Sequence, residues 1–237
     1  MKNPFTFTSR VRYSEVDADR ELSLVSVLNY FQDCSTFQSE DLDIGLVYLR
    51  DRHLFWVINS WQIDVLRYPA LGEKITIGTQ PYELKGFMGL RNFMMWDEQE
   101  KLVVKANSVW SLLDTETYRP MKCTPEILEK YTITEKIDME YLPRKIALPN
   151  EMEKQDELVI ARHHLDTNQH VNNGKYVEIG AEYVQHNNKP VRLRAEYLKS
   201  AMLGDTMTVY TGAVQKSQLV KLADTEGKAF AILSFDF

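Results

Sequence analysis

At 237 residues the chain has the length of one large domain or two small ones, and 44% hydrophobic against 26% charged residues is an ordinary globular composition. A net charge of −6 and a pI near 5.5 argue against a nucleic-acid-binding face, which needs cations to neutralise phosphates, and against attraction to anionic membranes. Two cysteines in unrelated contexts, Cys34 and Cys123, form neither a disulfide framework nor a CxxC metal site; with no signal-peptide core in "MKNPFTFTSR" and no membrane-length apolar run, a cytoplasmic location is expected.

In chain order, a first strand runs into the polar turn "SEVDADRE", and a helix follows over 23–40, where Leu24, Val27, Leu28, Phe31 and Cys34 recur at helical spacing. Strands are expected at 55–68, 73–84, 87–97 and 102–114. Residues 115–150 carry Pro120, Pro125, Pro143 and Pro149 and read as a connection with a short helix around "PEILEKY" (125–131). A second strand then enters a second polar turn. The helix after it has Tyr176, Ile179, Tyr183 and Val184 on one side and Asn172 or Asn173 as N-cap. Strands at 190–200, 206–216, 217–224 and 228–237 complete the chain, with "DTEG" (224–227) as a hairpin turn.

The two halves are versions of one another. "VRYSEVDADRELSLVSVLNYFQD" (11–33) lies over "IARHHLDTNQHVNNGKYVEIGAE" (160–182), which places Asp17 on Asp166, Asp19 on Asn168 and Glu21 on His170. "DVLRYPALGEKITIGT" (64–79) lies over "EYLKSAMLGDTMTVYT" (196–211), and "WDEQEKLVVKA" (96–106) over "ADTEGKAFAIL" (223–233). Three matches in one order indicate internal duplication. One helix beside an antiparallel sheet, twice over, is an α+β plan.

The second polar turn concentrates the chemistry. In an extended segment, residues two apart share a side, so Asp166, Asn168 and His170 would bring a carboxylate, an amide and an imidazole to one pocket. The helix N-terminus behind them offers N–H groups and a positive dipole end for an oxyanion. That set suits addition of water to a carbonyl: His170 as base or orienter, Asn168 holding water or carbonyl, and Asp166 fixing the imidazole or sharing the base role. Helix capping and a structural histidine are the competing reading of the same residues. No metal site is expected, because His163 and His164, as strand neighbours, would face opposite sides. GxSxG, GxGxxG, P-loop and HExxH signatures are missing, and Cys34 falls on the apolar helix face as a packed thiol.

"LDTNQHVNNGKYVEIGAE" resembles the DxNxHVNNxxY segment of acyl-ACP thioesterases. "RYSEVDADRELSLVSVLNYFQD", "FWVINSWQIDVLRYPALGEKITI" and "VVKANSVWSLLDTETYRPMKCTPEI" resemble that family's first half in the same order. The resemblance implies a double hotdog, two tandem units each with a long helix wrapped by an antiparallel β-sheet. It further implies an N-terminal hotdog over 1–135 holding the acyl-chain tunnel, a linker at 136–150, and a C-terminal hotdog over 151–237 with Asp166, Asn168 and His170 as catalytic residues. Trp56, Trp61, Phe93 and Trp110 are then apolar candidates for the tunnel wall. Fatty acyl-acyl carrier protein becomes the implied substrate and partner, with no cofactor, no metal and no nucleic acid, in a monomer or homodimer. Arg10, Arg12, Arg67, Lys85, Arg91, Arg162, Arg192, Arg194 and Lys199 are candidate basic contacts for the acidic carrier. One departure stands out: where plant members carry a Glu-Cys pair, this chain has Ser200 and Ala201, so a thiol nucleophile is excluded there and Glu196 becomes an alternative carboxylate. An acyl-CoA thioesterase and a non-catalytic acyl-binding protein are the alternative readings.

Overall fold

A computed structural model describes residues 4–184 and 188–237. The chain divides into two compact units, Met1–Asn59 with Ile63–Tyr141, and Ser60–Gln62 with Leu142–Phe237.

In the first unit, β1 (Phe5–Arg10) alternates half-buried and exposed residues, as a strand covered on one face must. α1 (Leu24–Asp41) begins at Ser23, whose hydroxyl accepts the Ser26 N–H, and buries Val27, Leu28, Tyr30, Phe31 and Cys34 at the expected spacing. A short helix that the sequence pattern did not signal, α2 (Leu46–Arg50), follows. Its single turn is too short to show a period. Then come β2 (Leu54–Val65), β3 (Lys74–Lys85), β4 (Met88–Trp96), β5 (Leu102–Asp114) and α3 (Pro125–Lys130), the last started by Thr124 with Pro125 in the first turn. The strand order is β1-β3-β4-β5-β2, and α1 packs on β1 and β3.

The second unit repeats this plan. β6 (Glu153–Val159), α4 (Asn173–Ala181), β7 (Arg192–Tyr197), β8 (Thr206–Val214), β9 (Ser217–Ala223) and β10 (Ala229–Asp236) follow in sequence. Their order is β7-β10-β9-β8-β6, so β6 flanks β8 as β1 flanks β3. α4 lies on β9 and β10 and approaches closely at Gly180, where an added Cβ would displace the Leu233 side chain.

Two expected strands end early, at Val65 rather than 68 and at Tyr197 rather than 200. The reason is shared. Leu66 and Arg67 N–H both donate to Val103 O, and Leu198 and Lys199 N–H both to Phe230 O. Two successive amides on one carbonyl break the ladder and turn the chain out of the sheet. The expected connection is also less loose than its prolines suggest. Ile137 N–H and Tyr141 Oη donate to Asn92 Oδ1 within the first unit, and Ile146 N–H donates to the Glu196 carboxylate within the second.

Candidate active site

β6 hands the chain to a 3-10 turn, Arg162–His164, and Leu165 then bridges Val171 across a tight loop. Asp166 closes that loop. Its N–H donates to His170 O at 2.8 Å, its Oδ1 accepts the N–H groups of Asn168 at 2.8 Å and His170 at 3.3 Å, and Gln169 takes the left-handed φ of 62°. The run 166–170 is therefore a turn, not the extended segment expected from i, i+2, i+4 spacing. A carboxylate that accepts amides two and four residues ahead folds the backbone back on itself, which an extended strand cannot do. Asp166, Asn168 and His170 still share one small turn, with Asn168 exposed and Asp166 and His170 half-buried.

Two neighbours fix this turn. His170 bridges Met202, and Val171 N–H donates to Ala201 O at 3.0 Å. Ala201 N–H in turn donates to Tyr176 Oη at 2.8 Å, from the first turns of α4. Burial pushes the Tyr176 phenol up to about 12, so it stays a neutral hydroxyl in this role. Tyr197 completes the frame, its hydroxyl donating to Asn173 O at 3.0 Å and its ring 5.8 Å from that of Tyr176. The Asn172 side chain is the helix cap, accepting Gly174 N–H at 2.8 Å. That bond uses one of the amides which the sequence had reserved for an oxyanion.

Residues 200 and 201 lie beside the proposed chemistry, with Ser200 exposed and Ala201 fully buried. Glu196 does not. Tyr197 faces α4, so its neighbour on the strand points to the other side, and the Glu196 carboxylate is buried holding Ile146 N–H at 2.9 Å.

The first unit contains the same turn, bond for bond. Asp17 N–H donates to Glu21 O, Asp17 Oδ1 accepts Asp19 N–H at 3.0 Å and Glu21 N–H at 3.4 Å, and Arg20 takes φ 62°. Glu21 bridges Ala70, and Leu22 N–H donates to Pro69 O. Tyr68 stands where the second unit has Ser200. It is half-buried, and the negative charges of Asp17 and Glu21 add to the burial that raises its pKa. Polar side chains thus frame both turns, and an imidazole is present only in the second.

His163 and His164 depart from the expectation of opposite faces. They sit on the 3-10 turn, where their rings pack 4.1 Å apart between centroids. His164 Nδ1 accepts the Ala161 N–H at 3.0 Å, as the Glu15 carboxylate accepts Arg12 N–H at 2.8 Å in the first unit. Sequence reasoning weighed His164 only as a ligand. The aligned Glu15 was the signal it missed, since carboxylate and neutral imidazole are both acceptors. Among the described residues no group of three or more His, Cys, Asp or Glu is arranged to hold a metal.

The candidate tunnel and docking residues separate in the structure. Phe93 is buried against Phe31 of α1, whereas Trp56 packs against the hydrophobic cluster that holds Ile44, Leu49 and Leu54. Trp61 belongs to the second unit, and Trp110 donates its indole N–H to Ser108. Of the candidate cations, Arg12 pairs with Glu15, Arg67 with Glu73 and Asp97, and Lys199 with Asp224, while Arg91 is buried among Gln38, Thr79 and Tyr131. Lys85 and Arg162 are exposed.

Residues 2–131 match the acyl-ACP thioesterase N-terminal domain and residues 147–229 the acyl-ACP thioesterase C-terminal domain. Among curated relatives, a chloroplastic acyl-[acyl-carrier-protein] hydrolase of Cuphea viscosissima is 28% identical over 184 residues, covering 70% of this chain and 43% of the relative. An oleoyl-acyl carrier protein thioesterase of Arabidopsis thaliana is 24% identical, covering 96% of this chain and 68% of the relative. The chain thus spans less than half the length of the Cuphea protein. In fold it is similar to an acyl-ACP thioesterase from Bacteroides thetaiotaomicron, with a TM-score of 0.89 at 20% identity over 98% of this chain and 96% of that one. The 12:0-ACP thioesterase from Umbellularia californica gives 0.82 at 21% identity over 98% and 96%. The architecture is the α+β double hotdog, and no helix among the described residues is long and apolar enough to cross a membrane. With its two domain models matched in order along the chain, the protein belongs to the acyl-ACP thioesterase family.

Proposed function

We propose that the chain hydrolyses the thioester of fatty acyl-acyl carrier protein, releasing free fatty acid and the carrier thiol. The observation that carries this reading is the turn of Asp166, Asn168 and His170, set directly before α4 in the half of the chain that matches the family's C-terminal domain. In this reading His170 takes a proton from water as the water oxygen attacks the thioester carbonyl. The carbonyl electrons move onto oxygen and return as the carbon–sulfur bond breaks, and the departing sulfur recovers the proton from the imidazolium. Asn168, at the exposed tip, orients water or the carbonyl oxygen by its side-chain amide. Asp166 acts through the backbone, holding residues 168 and 170 in the turn.

The site thus belongs to the C-terminal hotdog, assigned to 151–237, with 136–150 as the connection. The N-terminal hotdog, 1–135, is assigned the acyl chain, with Phe93 and the face of α1 around Phe31 as its apolar contacts. The acidic carrier protein would meet exposed cations, for which Lys85 and Arg162 qualify. The test is hydrolysis of acyl-ACP and acyl-CoA of several chain lengths, side by side. Preferred turnover of acyl-ACP supports the reading, preferred turnover of acyl-CoA replaces the partner, and stoichiometric acyl binding without product makes the chain a binding protein.

A further inference from the structure

We propose that His164 is a positioning residue for the thioester hydrolysis assigned to this site, holding the catalytic turn in place only while its imidazole is neutral; the inference rests on that functional reading. The geometry is a closed brace. Ala161 N–H donates to His164 Nδ1 at 3.0 Å, and His164 N–H donates back to Ala161 O at 3.0 Å. From the same residue, His164 O accepts the N–H of Asn172 at 2.9 Å, and Asn172 is the cap of α4, two residues after His170. One residue therefore ties the strand exit to the helix start on either side of the catalytic turn.

The first unit builds the same brace from a carboxylate. Glu15 accepts Arg12 N–H, and Glu15 O accepts Ser23 N–H at 2.9 Å before α1. A carboxylate remains an acceptor far below neutrality. An imidazole accepts at Nδ1 only when that nitrogen has no proton, since both nitrogens of the cation are donors. The exchange of Glu15 for His164 converts a pH-insensitive brace into one that opens on protonation.

The groups facing the ring are His163 beside it and Lys175 and Glu178 from α4, the latter two paired at 2.6 Å. Burial first, then the charges of His163 and Lys175, hold His164 below its ordinary pKa, with Glu178 opposing. The sign follows: the folded chain resists the proton while the unfolded chain accepts it near 6.5, so this brace contributes fully above that pH and weakens as pH falls below it.

The experiment is the pH profile of kcat/KM from about pH 8.5 to 4.5, for wild type, His164→Asn and His164→Ala, on the acyl-ACP that wild type cleaves fastest. Amide exchange at Ala161 is followed over the same range. The side-chain amide introduced by His164→Asn would present an acceptor oxygen that does not titrate. The wild-type acid limb should be steeper than that of a chain with a non-titrating brace, by the one proton that His164 takes up. His164→Asn should keep the alkaline rate within about threefold and show the shallower limb, whereas His164→Ala should lose about tenfold at every pH. Ala161 protection should fall with acid in wild type and persist in His164→Asn. A limb unchanged by His164→Asn, or acid-independent Ala161 protection, would overturn the proposal. Because exchange is read without substrate, absence of any thioester hydrolysis would refute the functional reading while leaving the brace tested on its own.

Discussion

The turn from Val16 to Leu22 and the turn from Leu165 to Val171 have the same backbone, the same aspartate at the same place and the same left-handed residue before the second strand bridge. They differ in what the backbone presents. The first offers Asp19 and Glu21 and is flanked by half-buried Tyr68; the second offers Asn168 and His170 and is flanked by exposed Ser200. The lesson is that one folding device, an aspartate-closed loop ahead of a helix, is a structural joint in one unit and carries the proposed chemistry in the other. Asp17 and Asp166 specify the loop. His170 and Asn168 are where the second loop differs from the first, and they carry its proposed use.

The comparison yields its largest effect at those two positions. His170→Ala and Asn168→Ala should each lower the hydrolysis rate by at least ~10²-fold, the scale for losing a general base or an oxyanion-type donor. Circular dichroism should show both variants folded, because neither side chain closes the loop. Near-wild-type turnover in a folded variant would remove that residue from the chemistry.

Making the second turn resemble the first should have a smaller effect. Ser200→Tyr copies the residue of the first unit beside the proposed catalytic turn, and a misplaced or crowded substrate typically costs about tenfold or more in rate. Steady-state kinetics should show that loss with little change in melting temperature. An unchanged rate would mean that position 200 does not face the substrate.

The shared aspartate sharpens the comparison in energy. Asp17→Ala and Asp166→Ala each remove a carboxylate acceptor of two backbone amides, and each should destabilise the fold by roughly 1–2 kcal/mol in denaturant titrations. Only Asp166→Ala should also lower the rate. Equal rate effects would erase the distinction between the units.

The smallest effect is expected at the thiols. Burial pushes Cys34 up to about 12 and raises Cys123 as well, so neither supplies a thiolate near neutral pH. Treating the folded protein with iodoacetamide should leave turnover unchanged. Stoichiometric inactivation, prevented by Cys34→Ser or Cys123→Ser, would place a cysteine in the mechanism.

Much of this was legible in the sequence because the informative residues have restrictive backbone or packing roles. The apolar spacing of Val27, Leu28, Phe31 and Cys34 marked α1 within one residue at each end. Gly72 and Gly204 aligned because both need positive φ, 84° and 86°, after the loop that braces each turn. Asp97 and Asp224 aligned because each accepts the amides two and four residues ahead in a hairpin turn. What remained hidden depended on partners distant in sequence or on competing local bonds. Asp166, Asn168 and His170 do share one turn, but that turn was read as extended, because spacing alone does not reveal that Asp166 bonds its own backbone. The early strand ends depended on Val103 and Phe230, and the role of His164 on its three-residue bond to Ala161.

The central claim is that two equivalent turns make one active site. Single-turnover hydrolysis of acyl-ACP by Glu21→Gln and Asp19→Asn, compared with His170→Ala, tests it most directly. The account predicts that both first-unit variants keep the chemical step within roughly tenfold of wild type while His170→Ala loses it. If Glu21→Gln or Asp19→Asn abolished the chemical step as fully as His170→Ala, the first turn would belong to the catalytic machinery and the account would be wrong.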